Sequence, residues 1–298
     1  MKSSHADGNT SSACVVSSSS THFHPSHLPT SPMLLQQPDE SPYDVNFELF
    51  GFPIRIAWTF WLGAAVFGWS LVQFFDRMEG SPGRLPLLLL WALCMLFSIL
   101  IHELGHAFAF RQFGVESSVV LYHFGGLAVP RTTNNYGGFA SSFAPPRLSP
   151  AAELWIAFAG PLAQLASAAV MIAVVKAMGY RVIAFALMPY PLDSIPGILE
   201  GNDFESVGLF ALVTFYVWPS VIWAVLNLIP VFPLDGGRIM RSLVMMGGGQ
   251  TDTWLWISMI VGGACTAYGF SSQNMFLGIL FLSLAVGNYQ MLQGPMRY

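Results

Sequence analysis

One stretch of the 298-residue chain concentrates groups able to do chemistry: Ile101-His102-Glu103-Leu104-Gly105-His106. Histidines four apart on a helix stack on one face, so His102 and His106 can both reach a single ion. Glu103 stands beside the first of them. Zinc held by such ligands lowers the pKa of a bound water to near 7, and an adjacent carboxylate can take the proton as hydroxide attacks a carbonyl. The pattern lies at the end of a long apolar run, where an ionisable group costs roughly 3 kcal/mol by insertion scales. Three such groups in five positions need a metal, a cavity or mutual pairing. The plainer alternative is a polar helix end at a membrane interface.

A catalytic zinc takes a third protein ligand and leaves one position open. The soluble metzincin pattern would place another histidine six residues after His106, but that residue is Gln112. Glu116, Glu153 and Asp235 remain. Glu116 falls beyond the helix, and Glu153 has a role of its own at the positive end of the helix that Ser149-Pro150 begins. Asp235 has the better claim. It lies in Pro233-Leu234-Asp235-Gly236-Gly237, where Pro230 and Pro233 break the helix and the glycines admit unusual backbone angles beside a ligand. Irregular backbone of this kind is tolerated at membrane depth only against protein or a wet cavity.

The elements that must position these residues are membrane helices. Apolar residues make up 54% of the chain and charged ones 9%, against about 25% charged in an ordinary soluble domain. The charges avoid the apolar runs, as expected of bilayer spans. A net charge of −4 with 12 Lys plus Arg offers no basic surface for phosphates, which excludes nucleic acid as a partner. Cys14, Cys94 and Cys265 are too scattered for a disulfide framework or a Cys-x-x-Cys zinc site.

The expected fold is an all-α polytopic membrane protein with about six transmembrane helices. The spans run near residues 54–75, 85–113, 149–178, 206–228, 253–270 and 274–292. A small β-hairpin at the membrane surface is expected between the second and third, in a Gly, Pro and Asn-rich segment with turns at Gly125-Gly126 and Asn135-Tyr136-Gly137-Gly138. Gly160-Pro161 should bend the third span, and Ala157, Gly160, Ala163, Ser167 and Ala168 should let another helix approach it. Residues 1–48 are rich in Ser, Thr, His and Pro and read as a disordered polar tail, with His22, His24 and His27 as solvated residues. Residues 49–298 then form the membrane domain. Eight Lys and Arg lie on the amino-terminal side of this topology and four on the other, which favours a cytoplasmic amino terminus. The His-Glu motif and Asp235 fall near that same cytoplasmic face.

Three blocks carry a resemblance: Ile101 to His106, Ala159-Gly160-Pro161-Leu162-Ala163, and the run from Asn227 to Gly237. In this order they resemble the site-2 protease family of intramembrane zinc metalloproteases. The likeness spans about residues 54–246 and corresponds to a minimal form without PDZ-like or paired nucleotide-binding regulatory segments. It implies one Zn2+ per chain on His102, His106 and Asp235, with Glu103 as general base. The substrate would be a transmembrane segment of a client protein in the lipid bilayer, and the setting a multi-pass protein of the cell (inner) membrane. By the same resemblance Asn227 would bind substrate or stabilise the oxyanion. Gly125 and Gly126 would belong to a hairpin that presents an edge to the substrate strand. An interfacial or capping Asn and an ordinary turn are the alternatives, and His123 reads as a surface residue.

Two other functions compete. A membrane zinc transporter would also use His and Asp, but it does not require a Glu directly after the first ligand and would repeat polar sites along a path. A catalytically silent, client-binding homologue would be expected to have lost one of these residues. The residues leave the client, the cleavage position and the oligomeric state open.

Overall fold

The computed structural model describes residues 39–123, 125–130, 148–250 and 252–293. The tail through residue 38, with its three histidines, and the Asn135–Gly138 turn lie outside the described residues. Within them the chain is mostly helical, with a sheet of four strands.

The chain enters through a β-hairpin, β1 (Val45–Leu49) and β2 (Phe52–Ile56). Phe52, Ile54 and Ile56 alternate with Pro53 and Arg55, the period of a strand with one face inward, and all three apolar side chains are buried. Strand β1 therefore begins inside the last residues that composition assigned to the tail, and β2 occupies the expected start of the first span. Helix α1 (Trp58–Asp76) and helix α2 (Arg84–Gln112) follow. They lead to β3 (Ser117–Tyr122), which pairs in parallel with β2, and then to β4 (Gly125–Pro130), antiparallel to β3 and at the sheet's edge. The expected hairpin is thus half of a larger sheet.

Helix α3 (Pro150–Ala177) opens as its sequence dictates: the Ser149 hydroxyl accepts from the Ala152 N–H at 3.2 Å, Pro150 fills the first turn and Glu153 complements the dipole. It continues as one helix through Pro161. Two of the small residues expected to admit a neighbour face α2: a Cβ at Gly105 of α2 would lie 2.9 Å from the Ala163 Cβ, and one at Gly160 would meet the His106 ring. Residues 178–206 form a cap of turns and 3-10 segments tied by Arg181 to Asp203 and by Lys176 to the carbonyls of Gly197 and Glu200.

Helix α4 (Val207–Asn227) then runs back, and a seven-residue link joins it to α5 (Asp235–Met246), a short helix where the sequence suggested only a turn. Helices α6 (Thr253–Ser271) and α7 (Met275–Gln293) complete the fold. They pack closely through small residues, with Gly262 facing Ala285 and Gly269 facing Gly278. Among the described residues five helices, α1, α2, α3, α4 and α7, are long and apolar enough to cross a membrane. An integral membrane protein is the reading these helices fit.

Candidate metal centre

His102, Glu103 and His106 lie on α2 among its buried residues, while Asp235 is the first residue of α5. Folding closes the 133-residue gap between them. His102 Nε2 is 3.0 Å from Asp235 Oδ2 and 3.2 Å from His106 Nε2, and His106 Nε2 is 3.3 Å from Asp235 Oδ1. Among the described residues, these three form the group of histidine and carboxylate ligands whose donor atoms all lie within 4.8 Å of one another. Glu116 and Glu153, the competing third ligands, are not part of it.

Each ring is held from behind. His106 Nδ1 donates to the Ile156 carbonyl of α3 at 2.6 Å, and His102 Nδ1 lies 2.9 Å from Gln164 Oε1, also on α3. A carbonyl only accepts, so the Nδ1 proton of His106 is fixed and its Nε2 presents a lone pair when the ring is neutral. His102 Nε2 and the Asp235 carboxylate face the same point. Lone pairs at 3.0–3.3 Å repel unless a proton or cation lies among them, and two imidazoles with a carboxylate are a donor set that zinc accepts.

Close approach to α3 depends on Gly160. Any Cβ there would overlap Nε2 of His106, so the glycine of the Gly-Pro pair admits the imidazole. Gly126 does the same for Glu103: a Cβ on this β4 residue would lie 2.6 Å from Glu103 Oε1. The carboxylate is therefore wedged between its own helix and the edge strand, next to the three-residue cluster.

The remaining candidates lie nearby in the fold but outside the cluster. Gly125, at φ +127°, sits under Trp223 of α4, whose ring a Cβ would meet at 2.9 Å. Asn227, four residues after Trp223, shares its helix face and is the half-buried last residue of α4. His123 packs its backbone on Gly63 of α1.

Asp235 reaches α2 through its link. A Cβ at Gly236 would strike the Leu228 and Ile229 carbonyls, so the start of α5 can fold onto the chain leaving α4 only with glycine there. The Phe232 N–H donates to Ser258 Oγ of α6 at 3.2 Å, and Asn288 of α7 donates to the Phe232 carbonyl at 2.8 Å. Sequence reasoning missed Gln164, Ser258 and Asn288. Their signal was weak but present, since each is a polar residue inside an apolar helix, and such residues tend to be partnered.

A protein of Synechocystis sp. provisionally named a zinc metalloprotease is 29% identical over 220 residues, covering 72% of this chain and 47% of that protein. A zinc metalloprotease of Methanocaldococcus jannaschii is 26% identical over 253 residues, covering 82% and 59%. The chain thus spans about half the length of the curated relatives it matches. Among solved structures, the site-2 protease from Methanocaldococcus jannaschii aligns with a TM-score of 0.45 at 23% identity, covering 83% of this chain and 94% of that one. The family model described as Peptidase family M50 matches residues 90–267. That match takes in most of α2 with its His-Glu-Leu-Gly-His run, all of α3 to α5 and most of α6, more than half of the sequence, and by it the chain belongs to peptidase family M50.

Proposed function

We propose that this protein is an intramembrane zinc endopeptidase of the site-2 protease type, which hydrolyses peptide bonds within or near transmembrane segments of a client protein. What carries this is the buried convergence of His102 and His106 of the apolar helix α2 with Asp235 at the start of α5, the Glu103 carboxylate beside them. One zinc per chain would be held by those three side chains. Bound there, it would polarise a carbonyl and make a water nucleophilic at neutral pH.

The protein's own groups do the rest. The Asp235 carboxylate and the two imidazoles bind the ion, while Gln164 and the Ile156 carbonyl keep the rings in orientation. Glu103, given room by Gly126, takes the proton of the attacking water and returns it to the leaving amine. Asn227 is assigned to the substrate or to the developing oxyanion, which its place at the end of α4, on the face of Trp223 and Gly125, supports. Strand β4 lies at the sheet's edge, where a locally unwound client segment can add as an extended strand, with Gly125 and Gly126 leaving its backbone accessible.

The topology assigned here has six spans. Helix α6, nineteen residues long and packed along α7, is the sixth. The amino terminus and the active site are placed toward the cytoplasm, in the cell (inner) membrane, on the balance of eight basic residues to four.

Glu103→Gln tests the assignment. The variant should retain zinc and lose cleavage of a membrane client by about 10²- to 10⁴-fold, whereas His102→Ala should lose both. The membrane proteome of cells carrying Glu103→Gln should accumulate uncut membrane stubs. Full activity in this variant rules out Glu103 as the base. Zinc flux into liposomes that is untouched by the substitution would identify a transporter instead.

A further inference from the structure

Behind His102 lies a chain of hydrogen bonds that crosses three helices. Gln164 of α3, Ser98 of α2 and Ser220 of α4 are all completely buried. His102 Nδ1 is 2.9 Å from Gln164 Oε1, Gln164 Nε2 is 2.8 Å from Ser98 Oγ, and Ser98 Oγ is 2.8 Å from Ser220 Oγ. The Ser220 hydroxyl donates to the Tyr216 carbonyl at 2.6 Å.

The direction of this chain follows from its far end. A backbone carbonyl can only accept, so the single proton of Ser220 is committed to Tyr216. Ser220 must then accept from Ser98, whose own proton is thereby used. Ser98 in turn must accept from the Gln164 amide nitrogen, which turns the amide oxygen toward His102. That oxygen can only accept, so the proton of a neutral His102 resides on Nδ1 and the Nε2 lone pair faces His106 and Asp235. With the Gln164 amide reversed, Ser98 would have to donate to Gln164, and the 2.8 Å Ser98–Ser220 contact would be left without a proton. A buried polar contact of that kind costs about 1–3 kcal/mol. The other tautomer of His102 is excluded on that account.

We propose that Gln164 is a positioning residue that holds His102 in its metal-ligating tautomer, and that Ser98, Ser220 and the Tyr216 carbonyl set the orientation of its amide. The proposal rests on the assignment of His102 as a ligand. Its observations are separate from the one that carries that assignment, which concerns the opposite edge of the ring. It gives α4, which carries no ligand, a direct influence on the metal site.

Chelator competition for Zn2+ on the full chain in detergent, together with thermal unfolding of the metal-free protein, tests this. Gln164→Leu removes the acceptor and should lower zinc affinity about 10- to 100-fold. Gln164→Glu keeps an acceptor of nearly the same shape toward His102 Nδ1 and should restore affinity to within a few-fold of the parent, although Ser98 must then donate to it and the Ser98–Ser220 contact loses its proton. Ser98→Ala frees the amide to reverse and should give a smaller loss than Gln164→Leu, several-fold. A role in packing alone would lower the unfolding temperature of metal-free Gln164→Leu while leaving its zinc affinity as in the parent, and that result overturns the proposal. Should Gln164→Leu fail to fold, Ser98→Ala decides, because unchanged affinity there also overturns it. If His102→Ala binds zinc as tightly as the parent chain, the ligand assignment itself has failed, whatever Gln164 does.

Discussion

The two halves of the candidate metal centre are held in different ways. His102 and His106 ride on α2, a 29-residue helix whose periodicity alone stacks them, and α3 supplies a hydrogen bond behind each ring. Asp235 follows irregular backbone, and its place depends on Ser258 and Asn288 gripping the two polar groups of Phe232. The histidine pair is a local property that neighbours refine, whereas the aspartate is positioned by the tertiary fold. Faults in the first half should act by crowding or turning a ring. Faults in the second should act by loosening a link.

The comparison breaks most sharply at the ligands. Asp235→Ala and His102→Ala should each release zinc on dialysis, read by metal content; retention in the aspartate variant would show that the link contributes no ligand. Next comes Gly126→Ala, whose added methyl pushes on Glu103. A misplacement of about 1 Å can cost about 10²-fold in rate, so cleavage should fall by that order with zinc content unchanged, and a loss of zinc instead would place Gly126 in support of the ligands.

Gly160→Ala crowds His106 and should weaken zinc binding by about 10- to 100-fold. Gly263→Ala is its control, since no atom lies within 4 Å of the added Cβ there, and alanine in a helix should if anything stabilise the protein slightly. Equal effects of the two would mean that Gly160 acts through helix propensity rather than through the imidazole. The smallest effect is expected from Ser258→Ala. It removes the acceptor for the Phe232 N–H at a cost of about 1–3 kcal/mol in stability, with a few-fold loss of zinc affinity by chelator competition. A change in stability alone would place Asp235 under the control of its own turn.

The His-Glu-Leu-Gly-His run was legible because its chemistry repeats at the period of the helix that carries it. Asp235 was legible from its glycines and prolines, which mark a backbone too irregular for membrane depth without a reason. Gly160 was seen as half of a helix-bending pair and as one of the small residues that let another helix approach; α3 continues through Pro161, and what the glycine admits is the His106 imidazole of α2. That role depends on what packs opposite. Ser258 and Asn288 escaped notice for the same reason, since their partner Phe232 lies 26 and 56 positions away. The β1–β2 hairpin carried a visible signal, Phe47 and Leu49 then Phe52, Ile54 and Ile56 in alternation. It lay between a polar tail and an apolar run, and the run was read as span from Ile54 onward. The parallel pairing of β2 with β3 joins segments on either side of α1 and α2, and no spacing in the sequence announces it.

The clamp on Phe232 also has a consequence for how the protein is made. Ser258 and Asn288 lie later in the chain than His102, His106 and Asp235, so the contacts that grip Phe232 near Asp235 can form only after α6 and α7 have been made. Until then the nascent chain carries His102, Glu103 and His106 but an Asp235 whose link lacks both of these contacts.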